Sequence, residues 1–156
     1  QVKGEWGFST SIAGKVLEWA ARLHEIGLDI SHDGYQRHGA DIAEHADMPG
    51  FPRAEQRCLA VLIGGHRHSI ERTVFDGLPE SWREAGLRLL LILRLAVLLN
   101  RSRKAALRVP VHLRADGRRL DVSIDADWLA DNPLTIADLE RERGFHADVG
   151  YTLGFE

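Results

Sequence analysis

From Leu87 to Leu99 nearly every residue is apolar: Leu87, Leu89, Leu90, Leu91, Ile92, Leu93, Leu95, Ala96, Val97, Leu98 and Leu99. At helical spacing these cover every face, and a helix apolar all round must be enclosed by protein. The run is too short to span a bilayer and contains Arg94, so the environment is a protein core rather than lipid. A chain built around such an element, over about 80–100, is expected to be mainly α-helical. Arg94 then needs a buried carboxylate or a bound anion, and Glu25 is the candidate carboxylate.

Three shorter helices are expected before it. One spans about 12–26, where Val16, Trp19, Leu23 and Ile26 recur at helical spacing and Gly27 is a stop. A second spans about 37–46 and ends at Met48-Pro49-Gly50-Phe51-Pro52. A third spans about 53–66, with Leu59, Leu62 and Ile63 inward. Trp19 and Trp128 fall on apolar stripes and are expected in the core. Residues 1–11 give no clear pattern. After Arg101-Ser102-Arg103-Lys104 the period changes to alternation: Val109, Val111 and Leu113, a turn at Ala115-Asp116-Gly117, then Leu120, Val122 and Ile124. A short helical piece from Asp127 follows, broken at Asn132-Pro133. Thr135 is then a helix cap with Asp138 three residues on, for a helix reaching about Arg143. Val149, Tyr151 and Leu153 alternate as a last strand. The division is therefore a helical domain over 1–104 and a small α+β (ββαβ) subdomain over 105–156.

The net charge of -3 gives no general pull toward nucleic acid or an anionic membrane. One cysteine, Cys58, lies in an apolar stretch and reads as a buried small hydrophobe. Without a disulfide framework or a signal peptide, the cytoplasm is the expected location. The chain opens on Gln1 rather than Met, which reads as part of a longer protein.

The string Leu23-His24-Glu25-Ile26-Gly27-Leu28 resembles the HD-hydrolase signature, where a His-Asp doublet on a helix binds a divalent metal. His38-Gly39-Ala40-Asp41, Val61 through His66, and Leu95 through Asn100 are similar to the later metal-bearing positions of such proteins. The version most similar to this chain is the C-terminal region of the exopolyphosphatase and guanosine pentaphosphate phosphohydrolase family. That resemblance rests on Leu23 to Leu28, His32 to Tyr35, Arg37 to Ala40, Asp47 to Phe51, His66-Arg67, Leu93 to Arg101, and Trp128-Leu129 through Glu140, and covers roughly 15–156. It implies an HD-domain-like helical bundle and a parent enzyme that releases terminal phosphate from inorganic polyphosphate. The catalysis would lie in N-terminal actin-like domains of the same chain, with Mg²⁺ as their cofactor, and the assembly would be a homodimer. This region would hold no cofactor of its own.

The residues themselves allow two chemistries. An HD metal site needs an upstream His, the His-Asp doublet and a late Asp. Here no His precedes His24, Glu25 stands for Asp, and Asn100 stands for the late Asp, while His38 and His66 remain. The carboxylates that would supply hard ligands are thus reduced, and a hydrogen-bonded polar network is the expected remnant. His32-Asp33 precedes Gly34 and reads as turn chemistry. The second chemistry is anion binding. Arg37, Arg67, Arg94, Arg101, Arg103 and Lys104 flank the apolar helices, and arginine forks suit phosphate. The primary expectation is an accessory region that guides polyphosphate and supports dimerisation, without catalysis of its own. The alternative is a working HD-type metal-dependent phosphohydrolase acting on a nucleotide or phosphoester.

Overall fold

The computed structural model describes residues 2–4, 6, 12–101 and 111–156. The described residues hold six α-helices and four β-strands, so the chain is mainly helical with a small α+β region. Two compact units emerge, one over 10–94 and one over 1–9 with 95–156. The sequence reading set the division near residue 104. By contacts it falls inside the long apolar helix, after Arg94, and the first residues join the α/β unit.

In the helical unit, α1 is Ile12–Leu23, α2 is Tyr35–His45, α3 is Arg53–Gly65, and α4, Glu80–Leu99, begins here. Leu89, Leu90, Leu91 and Leu93 of α4 are fully buried, as a helix apolar on all sides requires. From α3, Cys58, Leu59, Leu62 and Ile63 are buried too. Burial pushes the Cys58 thiol up to about 12, with Glu55 adding to the shift, so this cysteine is a packing group.

Two expectations for α1 fail. The helix ends at Leu23, and a 3-10 turn covers Ile26–Asp29. Gly27 is therefore no helix stop. A Cβ there would collide with the Tyr35 carbonyl oxygen and stand 2.6 Å from the Gly39 nitrogen, so glycine is what lets this turn lie against α2. Trp19 is also not core. It is 44% exposed, with Arg22 over its ring, because α1 buries the stripe of Val16 and Ala20 instead.

The α/β unit contains a four-stranded sheet in the order β1-β2-β3-β4, with β1 Val2–Gly4, β2 Val111–Asp116, β3 Arg119–Ile124 and β4 Thr152–Phe155. The expected hairpin is β2 and β3, antiparallel with Val111 opposite Ile124 and Asp116 opposite Arg119. Gly117 turns it with φ of 52°, a left-handed conformation natural to glycine. The first residues, which give no clear pattern in the sequence, supply β1, parallel to β2. Trp6 is buried, and its indole N–H donates to the Gly117 carbonyl at 2.9 Å.

Between β3 and β4 lie α5, Ala126–Asp131, and α6, Pro133–Asp148. Asp125 caps α5 by accepting from the Trp128 backbone N–H at 2.9 Å. The expected helix from Thr135 to about Arg143 is corrected at both ends. Pro133 opens α6 at its first turn, where the missing N–H has no cost, and the helix continues to Asp148. Asp138 makes no capping box; it pairs with Arg101 at 3.1 Å and Arg141 at 3.5 Å.

Candidate functional site

The residues resembling HD metal ligands do not form a metal cage. His66, 4% exposed just past the end of α3, has its Nδ1 2.6 Å from the Ile63 carbonyl oxygen and its Nε2 3.3 Å from the Tyr35 hydroxyl. A carbonyl only accepts, so Nδ1 carries the proton and Nε2 of the neutral ring accepts from Tyr35. Burial lowers the His66 pKa to about 4. The Ile63 carbonyl pulls it up, while the nearby His24, Arg67 and Arg94 push it down further. The ring is neutral at physiological pH, with both nitrogens engaged.

His24 lies edge-on to His66 with ring centroids 5.2 Å apart, and its Nδ1 is 2.8 Å from the Ala21 carbonyl oxygen. Glu25 and His38 are half-buried. Asn100 belongs to the α/β unit, where its amide donates to Ala96 of its own helix at 2.7 Å. Among the described residues no group of three or more His, Cys, Asp or Glu is placed to hold a metal ion.

Arg94 was expected against a carboxylate or an anion. It is 3% exposed and donates to the Gly65 carbonyl at 2.8 Å. That carbonyl closes α3, where the last C=O groups lack helical partners and carry partial negative charge. Gln56 does the same for α2, donating to the carbonyls of Ala43 and Ala46, each at 2.8 Å.

Arg37 and Arg67 meet in a different setting. Both line a cleft of ≈ 470 Å³ in the helical unit, formed by α2, the end of α3 and the segment that follows it. Arg37 is exposed on the first turn of α2. Arg67 is half-buried, its guanidinium 5.1 Å from the centroid of the Tyr35 ring, a cation–π arrangement that holds the fork in place. His68, also on the cleft, has φ of 61°, a left-handed conformation uncommon outside glycine. Asp41, Glu44 and Glu71 stand on the same rim, and Ala60, Val61, Ile70 and Leu90 form the apolar wall. The sequence reading missed these carboxylates. The one available signal was Arg37 and Asp41 at i, i+4, which places them on one face of α2.

The remaining basic candidates lie elsewhere. Arg101, in the α/β unit, is half matched by Asp138 beside a cleft of ≈ 460 Å³ that also includes Leu99, Trp128 and Leu134. Arg103 and Lys104 lie outside the described residues. Among the described residues no helix is long and apolar enough to cross a membrane.

Residues 1–143 match the family model for Ppx/GppA phosphatase, domain III. A guanosine-5'-triphosphate,3'-diphosphate pyrophosphatase of Vibrio atlanticus (strain LGP32) is 39% identical over 159 residues, covering 100% of this chain and 31% of that protein. The protein of the same name from Vibrio vulnificus (strain YJ016) is 40% identical over 144 residues, 90% of this chain and 28% of its own length. That of Vibrio cholerae serotype O1 (strain ATCC 39315 / El Tor Inaba N16961) is 37% identical over 159 residues, with 100% and 31% covered. The chain therefore spans less than a third of the length of these curated relatives.

Proposed function

Since this chain belongs to the Ppx/GppA phosphatase family, as its domain III, we propose that it is the C-terminal accessory region of a hydrolase acting on phosphoric anhydrides. The match across the whole chain is the observation that carries this reading. In it, catalysis belongs to actin-like domains of the same protein, with Mg²⁺ there. This region holds the polyanionic substrate and supports a homodimer in the cytoplasm. Inorganic polyphosphate is one substrate. The name shared by the Vibrio relatives favours guanosine pentaphosphate beside it.

Arg37 and Arg67 are the proposed anion contacts of the helical unit. Both reach the same cleft, and Arg67 is held in position by Tyr35. Arg94 works from beneath, fixing the Gly65 carbonyl at the cleft wall. Arg101, Arg103 and Lys104 are a second proposed basic group in the other unit.

The test is steady-state kinetics on the full protein with Arg37→Glu and Arg67→Glu. Loss of substrate holding without loss of chemistry raises KM about tenfold while kcat stays near wild type. Unchanged KM for both polyphosphate and guanosine pentaphosphate would reject the holding role. Phosphate release by the 156-residue chain alone with Mg²⁺, Mn²⁺ or Zn²⁺ would instead establish an HD-type metal-dependent phosphohydrolase.

A further inference from the structure

Arg67 brings a long charged side chain to the cleft, and among the described residues its guanidinium makes no hydrogen bond or ion pair. Its hold is the face of Tyr35, with the guanidinium carbon 5.1 Å from the ring centroid. A cation–π contact fixes a guanidinium only as well as the ring itself is fixed. Whatever fixes Tyr35 therefore fixes Arg67.

Tyr35 is held at three points. Its backbone opens α2 directly after Gly34, whose φ is 64°. Its carbonyl lies against the Gly27 turn, with no room for a Cβ on Gly27. Its hydroxyl donates to His66 Nε2 at 3.3 Å, a buried bond. His66 is tied in turn to the α3 backbone, through Nδ1 and the Ile63 carbonyl at 2.6 Å. Arg67 follows His66 in the chain, so the links close on themselves: backbone from His66 to Arg67, and side chains from His66 through Tyr35 back to Arg67. The His66 ring accepts from the hydroxyl only while it is neutral. Protonated, it would be a donor at both nitrogens and a second positive charge beside Arg67.

We propose that His66 is a positioning residue for anion holding: it touches no ligand itself, and through the Tyr35 hydroxyl it aims the Arg67 fork at the cleft. This rests on the reading of Arg67 as an anion contact and adds the group that preorganises it. Preorganisation reduces the freedom lost when the fork closes on phosphate, so removing it weakens holding and leaves the chemistry alone.

Steady-state kinetics of the full protein on inorganic polyphosphate, run as a double-mutant cycle, tests it. Tyr35→Phe keeps the ring and removes the hydroxyl, and is expected to raise KM about fivefold at unchanged kcat. With Arg67→Ala already in place, Tyr35→Phe should change KM no further. The same increase in both backgrounds would mean an effect that does not run through Arg67, and would overturn the proposal. His66 supplies a second pair of variants should Tyr35→Phe fail to fold. His66→Gln keeps an acceptor near the Nε2 position and should hold KM near wild type, whereas His66→Leu should raise it as Tyr35→Phe does. A KM raised equally by both, or by neither, would also overturn it. If Arg67→Ala raises KM while the Tyr35 and His66 variants do not, His66 positions nothing and the anion contact stands. If Arg67→Ala leaves KM unchanged, the contact itself is removed, and this inference with it.

Discussion

The two units treat their buried polar groups differently. In the helical unit three of them close a helix: Gln56 holds the last carbonyls of α2, Arg94 the Gly65 carbonyl, and His66 the Ile63 carbonyl. In the α/β unit His146, fully buried on α6, has no hydrogen bond on either ring nitrogen. Glu142, also buried, brings a carboxylate oxygen to 3.6 Å of its Nε2, beyond hydrogen-bond reach. A buried polar atom with a partner fixes its surroundings, whereas one without a partner carries a desolvation cost. Both units rest on apolar packing, around Leu59, Leu62 and Leu89 in the helical unit and around Leu120, Leu139 and Leu153 in the α/β unit, and the helical unit adds these polar locks.

The difference can be tested, beginning with the tightest point. Gly27→Ala forces a methyl into the Tyr35 carbonyl, which is backbone and has little room to yield. A loss of ~3 kcal/mol or more is expected in urea unfolding, because overpacking against a fixed group is costly. A loss under ~1 kcal/mol would show that the 3-10 turn is not locked onto α2.

Next comes pH. His66 has a folded pKa of about 4 against an ordinary 6.5, so between these values the unfolded chain binds more protons. Stability from this ring is complete above pH 6.5 and is lost as pH falls toward 4, by on the order of 3 kcal/mol. Unfolding midpoints from pH 7 to 4 should decline for wild type and less steeply for His66→Gln. Parallel profiles would mean that His66 is not locked in its neutral form.

The smallest effect is expected at the unpartnered histidine. His146→Leu removes two unsatisfied nitrogens and keeps similar bulk, so stability should stay within ~1 kcal/mol of wild type or rise. A fall in Tm corresponding to more than ~2 kcal/mol would reveal a role for the ring that the apolar packing does not supply.

The legible parts of the chain were those whose signal is local. The Leu87–Leu99 run gave α4, and alternation at Leu120, Val122 and Ile124 gave β3, because periodicity alone fixes which faces are buried. Trp19 misled because an apolar stripe permits several helix rotations, and packing chose Val16 and Ala20. Asn132-Pro133 read as a break when proline was opening α6, since the same residue serves both uses. Three residues, Val2–Gly4, are too few to show a period, so β1 was invisible until its partner was placed. Of the candidate site, the arginines were legible by type. Asp41 and Glu71 were not, because a rim exists only after α2 meets the segment following α3. Arg94 was legible as an anomaly, but the Gly65 carbonyl among its acceptors is a backbone group, which no side-chain pattern announces.

The pairing of Val2–Gly4 with Leu113–Ala115 bears on how the molecule is made. During synthesis this strand leaves the ribosome ahead of the helical unit, and its neighbour follows only after that whole unit, about ten seconds later at ordinary elongation rates. Through that interval a nascent sheet edge waits open while the helices, whose contacts are nearer in sequence, can already close. Of the two units, the α/β unit is thereby completed second, although its strand β1 is translated before the helical unit.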